Sequence, residues 1–241
     1  MSTYALCDFH SHVLQCIDDG SRSVDESLRM LEMLKEQGIS LVVATPHFDA
    51  DKLSVKAFLG RRARSYADLI GAAPADIPQI RLGAEVSYYP GISRLEGLSD
   101  LCIEGTRFLL IEMPMGKWDR YVKDELINMP AVCGVVPVVA HVERCLPYQE
   151  RRFFEAFRSS DVLFQVNSSF IITRSTRRRA IGLLKKGLVQ FIGSDCHGID
   201  SRPPEIGEAY RIITGKLGDS FLHCLYALKD LNTKTKRNEV Q

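Results

Sequence analysis

No excess of charge of either sign is present in the 241-residue sequence, in which 31 lysine and arginine residues balance 30 acidic residues to a formal net charge of +1. This excludes a strong overall field that would favour nucleic acid or an anionic membrane. Long hydrophobic runs are also missing, since no window approaches the roughly 20 apolar residues of a membrane span. Residues 1–10 lack the basic and apolar segments of a secretory signal. We therefore expect no nucleic-acid partner, no membrane insertion and a cytoplasmic location.

Closely spaced cysteine pairs and flexible linkers are absent as well. The seven cysteines include no C-x-x-C pair, so neither a disulfide framework nor a cysteine-type zinc site is predicted. No Pro/Gly/Ser-rich linker or low-complexity stretch divides the chain. With 45% hydrophobic and 25% charged residues, the composition is that of an ordinary globular protein. We predict a single domain over residues 1–231, followed by a polar tail over residues 232–241.

Seven short apolar runs alternate with helical segments along the chain. The runs predict strands at 4–9, 41–44, 80–84, 108–111, 135–140, 162–166 and 189–192. A Ser-x-x-Glu capping box from Ser23 to Glu26 begins the first helix, which Gly38 ends. Further helices are predicted at 55–70, 120–128, 149–157, 176–186, 205–214 and 219–231. Because strands that alternate with helices pair in parallel, the sequence predicts an α/β fold.

Polar side chains follow each predicted strand at its carboxyl end. Parallel α/β sheets and barrels build their active sites at this edge. A closed or nearly closed (β/α) barrel would therefore bring the side chains together. In chain order they are His10 and His12, His47, Glu85, Glu112, His141, Asn167, and Asp195 with His197.

The residue types at these strand ends favour a metal site. Asp8, His10 and His12 are spaced by two, so a strand would direct all three to one face. Imidazole and carboxylate ligands together suit zinc, manganese or iron better than calcium or magnesium. The candidates exceed the needs of one ion, so we expect several ions with bridging carboxylates. Any one of these histidines could alone be a hydrogen-bonded structural residue, and His223, in the last predicted helix, is the structural control.

Several segments, in order from residue 5 to residue 210, together resemble one known family. They are Asp8-Phe9-His10-Ser11-His12, Ile17-Asp18-Asp19-Gly20, Ala44-Thr45-Pro46-His47, Gly83-Ala84-Glu85-Val86-Ser87-Tyr88-Tyr89, Leu110-Ile111-Glu112, Ala140-His141-Val142-Glu143-Arg144, Gln165-Val166-Asn167-Ser168-Ser169, and Gly193-Ser194-Asp195-Cys196-His197 followed by Arg202-Pro203-Pro204. This combination is similar to the bacterial PHP-type protein-tyrosine phosphatases of the polymerase-and-histidinol-phosphatase superfamily. Members of that family are associated with capsule and exopolysaccharide synthesis. The chain departs from the pattern at Gln15-Cys16, where Pro-Gly is expected, and at Cys145, where tyrosine is common.

The resemblance implies a distorted seven-stranded (β/α)7 TIM-like barrel that holds three divalent ions, manganese or otherwise iron or zinc. It also implies that Arg144 and Arg202 bind phosphate, and that a metal-bridging hydroxide attacks the phosphorus of a phosphotyrosine protein. The implied partner is a bacterial tyrosine kinase that regulates capsular or exopolysaccharide synthesis. The ligand sets implied for the three ions are His10, His12, Glu85 and Asp195; Glu85, Glu112 and His141; and Asp19, His47 and His197.

A thiol mechanism competes with this interpretation, because three cysteines begin the C-x5-R pattern of cysteine-dependent tyrosine phosphatases: Cys16, Cys145 and Cys196. Acidic residues inside the first two segments oppose a thiolate, and Pro147 removes a backbone donor from the second. In the third, His197 is better explained as a metal ligand.

Two further hypotheses change the substrate or remove the enzymatic role. The substrate could be a small phosphomonoester such as histidinol phosphate. A metal-loaded scaffold could bind an acidic partner through a basic segment that could equally face solvent. Tyr88 and Tyr89 could stack on a phosphotyrosine ring or pack beside the core. The basic segment contains Arg174, Arg177, Arg178, Arg179, Lys185 and Lys186.

Overall fold

A computed structural model describes residues 6–223. All paired strands in this part of the chain run parallel, as predicted from their alternation with helices. The strands are β1 (Leu6–Ser11), β2 (Ile39–Ala44), β3 (His47–Phe48), β4 (Gln79–Leu82), β5 (Glu85–Ser87), β6 (Phe108–Glu112), β7 (Val136–Val139), β8 (Leu163–Asn167) and β9 (Phe191–Gly193).

The α-helices lie between the strands, and several begin at residues that cap them. The Ser23 side chain accepts a hydrogen bond from Glu26 N at 3.1 Å, and Asp119 in the same way accepts from Val122 N at 3.0 Å. None of the described helices has the length and apolar character needed to cross a membrane. The helices are α1 (Val24–Glu36), α2 (Val55–Ala72), α3 (Arg120–Cys133), α4 (Ser168–Ile172), α5 (Arg174–Lys185) and α6 (Ile206–Leu217).

The strands form two parallel sheets, one in the order β1-β2-β4 and one in the order β3-β5-β6-β7-β8-β9. The chain moves from the first sheet to the second at two short interruptions, and Pro46, which has no N–H to donate, lies in one of them. Hydrogen bonds from Gly83 N to Ala44 O at 2.8 Å and from Glu85 N to Pro46 O at 3.1 Å continue the pairing past both interruptions. The result is a curled parallel sheet.

A closed seven-stranded barrel, which the resemblance implied, is not confirmed. Within the described residues, the strand pairing that would close the sheet is one isolated bridge from Ser11 of β1 to Cys196, three residues after β9. Two backbone hydrogen bonds flank it, from Asp195 N to His10 O at 2.8 Å and from His12 N to Cys196 O at 3.0 Å. β9 ends at Gly193, so the residues that pair with β1 are already in the following loop.

Two predicted helices differ from the structure. Residues 149–157 were predicted as one helix, but they contain the short 3₁₀ segment Phe153–Phe157, which follows another at Leu146–Tyr148. Phe153 and Phe157 both pack edge-on against Phe164 of β8, so ring packing decides the local backbone. The segment predicted at 219–231 begins with a 3₁₀ turn, Asp219–His223, and the remainder lies outside the described residues, as does the predicted tail 232–241.

β1 and β9 approach each other closely enough to require glycine at Gly193. A Cβ atom at that position would lie 2.4 Å from His10 Cβ and 2.9 Å from His10 N. Asp8 stabilises the same junction, because its carboxylate accepts hydrogen bonds from Ser194 N at 2.8 Å and from Ser194 Oγ at 2.5 Å. Asp8 is thus occupied at this junction and belongs to none of the candidate ligand groups. The pairing of β1 with β2 shifts register between Asp8 and Ser11.

Replacing Gly193 by alanine should destabilise the fold by about 1–3 kcal/mol, because the added methyl group collides with His10. Gly182→Ala is the matched control, since Gly182 lies within α5 and a Cβ there meets no heavy atom within 4 Å. That control should stabilise the helix by about 0.5–1 kcal/mol. The free energy of unfolding from urea denaturation checks both, and equal stability of Gly193→Ala and the unmodified protein would contradict the close approach.

Candidate metal centre

The carboxyl edge of the curled sheet brings the predicted ligands together. His10 lies near the end of β1, His47 begins β3 and Glu85 begins β5. In the parallel register His47 is paired with Glu85, and Ser87 is paired with Glu112 at the end of β6. The sequence predicted that His47 and Glu85 follow strands. Both instead lie within short strands, because parallel pairing resumes after the two interruptions. The remaining candidates follow β1, β7 and β9: His12, Asp19, His141, Asp195 and His197.

Four of these side chains form a fully or almost fully buried group: His10, His12, Glu85 and Asp195. The Nε2 atoms of the two histidines lie 3.1 Å apart. Glu85 Oε2 lies 3.1 Å from one Nε2 and 3.3 Å from the other. Asp195 Oδ1 lies 3.5 and 3.4 Å from the same two atoms. Two imidazole nitrogens and two carboxylate oxygens directed at one point are a suitable ligand set for a divalent ion.

Two further groups share members with the first. His47, Glu85 and Glu112 place one donor atom each within 4.8 Å of one another, and so do His12, His47 and His197. His141 Nε2 lies 2.8 Å from Glu85 Oε1 and 3.6 Å from Glu112 Oε1, so it borders the second group.

Asp19 borders the third group from a solvent-exposed loop. Its Oδ1 lies 3.7 Å from His47 Nε2 and 3.5 Å from His197 Nε2. The structure therefore brings the nine predicted ligands together at one edge of the sheet, and Glu85 is shared by two of the three groups.

Hydrogen bonds leave ligand nitrogens of the histidines directed into the site. His12 Nδ1 donates to Asp18 Oδ2 at 2.7 Å, and His197 Nδ1 donates to the backbone oxygen of Asp195 at 3.0 Å. His197 Nε2 is buried and has no hydrogen-bond partner within residues 6–223. A buried imidazole nitrogen with a free lone pair fits a metal ligand, and bonds of this kind to the opposite nitrogen fix its orientation.

Asp18 is a residue of the site that the sequence reasoning missed, since it named only the neighbouring Asp19 as a ligand. Besides His12, its carboxylate accepts from the backbone N–H of His47 at 2.8 Å and of Gly20 at 2.9 Å. It thus joins two candidate ligands and the loop between them, and these contacts lower its pKa to about 2 although burial opposes the shift. The resemblance contained the Asp18-Asp19 pair and assigned a role to Asp19, but no local sequence signal shows that Asp18 binds His12 and the backbone of His47.

Gln165 and Asn167 on β8 support the site from the other side. Gln165 Oε1 accepts from His141 N at 2.5 Å and lies 3.5 Å from His10 Nδ1. Its amide nitrogen donates to Asn167 Oδ1 at 2.9 Å, and Asn167 Nδ2 donates to Asp195 Oδ2 at 2.8 Å. Asn167 was expected at this edge. In the structure it supports Asp195 through the hydrogen bond from its amide nitrogen.

Charges within the site depend on one another. Burial alone would raise the pKa of Glu85, but the charge of His10 and hydrogen bonds from neighbouring histidines lower it well below its usual range. Burial, with the nearby charges of His12 and Arg202, lowers the pKa of His197 to about 4. At neutral pH Glu85 is therefore ionised and His197 is neutral, the states in which these two side chains bind a metal ion. The neighbouring carboxylates raise the pKa values of His10 and His12 although burial opposes the shift, so an ion bound there would displace their protons.

Strained backbone is concentrated at this site. Four residues other than glycine have positive φ within the described chain: Cys16 at 59°, His141 at 28°, Asp195 at 55° and Arg202 at 53°. Each such residue costs about 1–3 kcal/mol and persists where surrounding contacts hold it. Cys16 stands where the resemblance expected glycine, which adopts this conformation without a penalty.

Arg144 and Arg202 both reach the metal centre through Asp195. Arg144 Nη2 lies 2.5 Å from Asp195 Oδ2, and Arg202 Nη2 lies 2.6 Å from Asp195 Oδ1. Each arginine therefore pairs with a candidate ligand rather than with Glu143 or Glu205, the neighbours that a purely structural role would have favoured. Both guanidinium groups remain partly exposed, with relative side-chain exposures of 37% and 42%.

Two of the three thiols that begin C-x5-R segments, those of Cys145 and Cys196, lie in surroundings that oppose a reactive thiolate. Cys145 and Cys196 are buried, and burial raises the pKa of the Cys145 thiol to about 12. The pKa of Cys196 is also raised by burial. Cys16 is exposed, but its thiol donates to Arg22 O at 3.1 Å. A thiolate nucleophile needs the opposite change in pKa.

Tyr88 has a structural contact of its own. Its hydroxyl donates to Glu125 Oε2 at 2.9 Å, and the same carboxylate accepts from Gly91 N and Ser93 N in the loop after β5. Tyr88 and Tyr89 both pack against the larger hydrophobic core. These contacts agree with the packing interpretation of the two tyrosines.

The family model described as "Capsular polysaccharide synthesis, CpsB/CapC" matches residues 6–230. The chain belongs to the CpsB/CapC family. Among curated members, the tyrosine-protein phosphatase CpsB of Streptococcus pneumoniae is 31% identical over 230 residues, with coverage of 88% of this chain and 91% of that protein. CpsB of Streptococcus agalactiae serotype V is 30% identical over 224 residues with the same coverages. The resemblance inferred from the separate motifs is thereby confirmed.

Solved structures agree with the fold. A structure described as that of YwqE from Bacillus subtilis and CpsB from Streptococcus pneumoniae, "unique metal-dependent tyrosine phosphatases", superposes with a TM-score of 0.75 at 24% identity, and covers 91% of both chains. The phosphotriesterase homology protein of Escherichia coli superposes with a TM-score of 0.51 at 11% identity, over 93% of this chain and 97% of that one. At these identities the likeness concerns the fold alone.

Asp18→Asn should weaken binding of Mn²⁺ about ten- to a hundredfold, because a neutral amide holds the imidazole of His12 less firmly than a carboxylate does. Asp68→Asn is the control, since Asp68 is exposed on α2. Isothermal titration of the metal-free protein measures the affinities. Wild-type affinity in Asp18→Asn would show that Asp18 does not orient the ligands.

Proposed function

We propose that the chain is a metal-dependent protein-tyrosine phosphatase. The observation that carries this proposal is the arrangement of three overlapping ligand groups directly beside two arginines, Arg144 and Arg202. The relatives named tyrosine-protein phosphatases support the same reaction class. The implied protein substrate is a tyrosine kinase that regulates capsular or exopolysaccharide synthesis.

Three divalent ions, with manganese as the first candidate and iron or zinc as the others, would fit the three ligand groups. His10, His12, Glu85 and Asp195 would hold the first, while Glu85, Glu112 and His141 would hold the second. Asp19, His47 and His197 would hold the third. Ions in these positions would supply Lewis acidity and activate water for in-line attack on phosphorus.

The chain's own residues then bind and orient the phosphoryl group. Arg144 and Arg202 approach Asp195 from two sides, so their guanidinium groups already face the ligand cluster. Planar guanidinium groups pair with phosphate oxygens through charge-assisted hydrogen bonds. A bound phosphate would replace Asp195 as their partner, and Asn167 would keep its hydrogen bond to the Asp195 carboxylate.

The leaving group needs little help from the protein. A tyrosine phenolate has a pKa of about 10 and departs more readily than an alkyl alkoxide. Direct attack by water on phosphorus requires no covalent enzyme intermediate, so the unreactive thiols are no obstacle. The proposed hydrolysis therefore needs no protein side chains beyond the two arginines and those that would hold the ions.

Chelation should abolish hydrolysis of p-nitrophenyl phosphate, and readdition of individual metals should restore it, whereas thiol alkylation should leave most of the activity. Elemental analysis of the same samples relates activity to metal content. Full turnover in metal-free protein would contradict the proposal. Comparison of a phosphotyrosine peptide with histidinol phosphate tests the substrate, and a higher kcat/KM for histidinol phosphate would assign the small-molecule reaction instead.

Arg144→Ala and Arg202→Ala should each lower kcat/KM about ten- to a hundredfold, because a charge-assisted hydrogen bond contributes about 1.5–3 kcal/mol. Metal content should stay the same, since arginine is not a ligand. Arg178→Ala, at an exposed position of α5, is the control and should retain activity. Steady-state kinetics, inhibition by inorganic phosphate and metal analysis measure these effects. Unchanged kinetics in both site variants would remove the arginines from the mechanism.

A further inference from the structure

A cleft of about 470 Å³ lies next to the metal centre. On one side it is lined by the candidate ligands Asp19, His47 and Glu112. Its other lining residues include Leu53 and Phe58, together with Arg61 on the second turn of α2. The cleft therefore connects the ligand cluster with a surface outside it.

The wall formed by Leu53 and Phe58 is apolar. Phe58 is 1% exposed and packs edge-on against Phe48 with ring centroids 5.2 Å apart. Leu53 and Ile17 are partly buried against the same core and also line the cleft. Concave sites of roughly 300–1,000 Å³ with apolar walls are of the size that small ligands occupy. An aromatic ring attached to a phosphate at the metal centre would find apolar contacts here.

Arg61 supplies a positive charge at this cleft that the fold does not use. Within residues 6–223 its guanidinium makes no ion pair and no hydrogen bond. The adjacent Arg62 is different, because it donates to Gly83 O at 2.6 Å and to Asp100 O at 3.3 Å and lies over the Phe58 ring. The cleft's Lys52 is paired with Asp49 at 3.0 Å. The guanidinium of Arg61 is therefore available to a ligand, whereas that of Arg62 is occupied by backbone oxygens.

We propose that this cleft selects phosphotyrosine segments with acidic residues beside the tyrosine, and that Arg61 binds a flanking carboxylate. The inference rests on the phosphatase activity proposed above and deepens it. The phosphate would lie at Arg144 and Arg202, the ring against the wall of Leu53 and Phe58, and the neighbouring acidic side chain at Arg61. Arg61 is a specificity-determining residue in this arrangement, since it lies outside the ligand cluster.

The test compares three phosphotyrosine peptides that differ only in whether glutamate, glutamine or lysine flanks the tyrosine. Manganese-loaded full-length protein should hydrolyse the glutamate peptide with a kcat/KM about three- to tenfold above that of the glutamine peptide. The difference should lie mainly in KM and should shrink at high salt. Arg61→Gln should bring this ratio close to one. Arg61→Glu should reverse the preference toward the lysine peptide, which a purely structural role of Arg61 would not do.

Arg64→Gln is the matched control, because Arg64 is exposed on the same helix but does not line the cleft. Arg64→Gln should keep the unmodified protein's ratio of kcat/KM between the glutamate and glutamine peptides. Equal kcat/KM of the unmodified protein for the glutamate and glutamine peptides would overturn the proposal, and so would an unaltered preference in Arg61→Glu. Failure of the metal-loaded protein to release phosphate from any of the peptides would instead overturn the phosphatase activity itself.

Discussion

The carboxylate of Glu85 is the point on which the structure of the site depends. Its two oxygens lie within contact of nitrogen atoms from four histidines, at 3.1 Å for His10, 3.3 Å for His12, 3.2 Å for His47 and 2.8 Å for His141. A fully buried carboxylate is costly unless opposite charge or hydrogen-bond donors surround it. The four histidines meet this requirement, and in doing so they join strands that are distant in sequence.

Backbone geometry maintains this arrangement. Glu85 is paired with His47 in the parallel register, while the β1–β9 junction brings His10 toward Asp195. That junction needs the missing side chain of Gly193 and the buried carboxylate of Asp8. The strained conformations of His141 and Asp195 lie at the same edge. The sheet thus holds the ligands in place without relying on the ions for all of their orientation.

The sequence predicted the strand-end residues well because two local rules act together there. Apolar runs mark strands, and parallel pairing places their carboxyl ends at one edge. Distinctions that depend on contacts between distant segments could not be predicted in this way. The spacing of Asp8, His10 and His12 could not show that the Asp8 carboxylate binds Ser194, which lies 186 residues later in the chain. Barrel closure and the short turns at 149–157 likewise depend on packing between segments that the local pattern does not report.

The order of the ligands along the chain has a consequence for biosynthesis. His10 and His12 leave the ribosome first, but Asp195 and His197, which complete two of the groups, follow only after β9. Because ligand sets rarely exist before the fold does, an ion that needs the complete groups could bind only after β9 has been made. A nascent chain exposes its first histidines for most of its synthesis without the carboxylates that would make them selective. The complete ligand groups, and not the first two histidines alone, would therefore determine which ion the site selects.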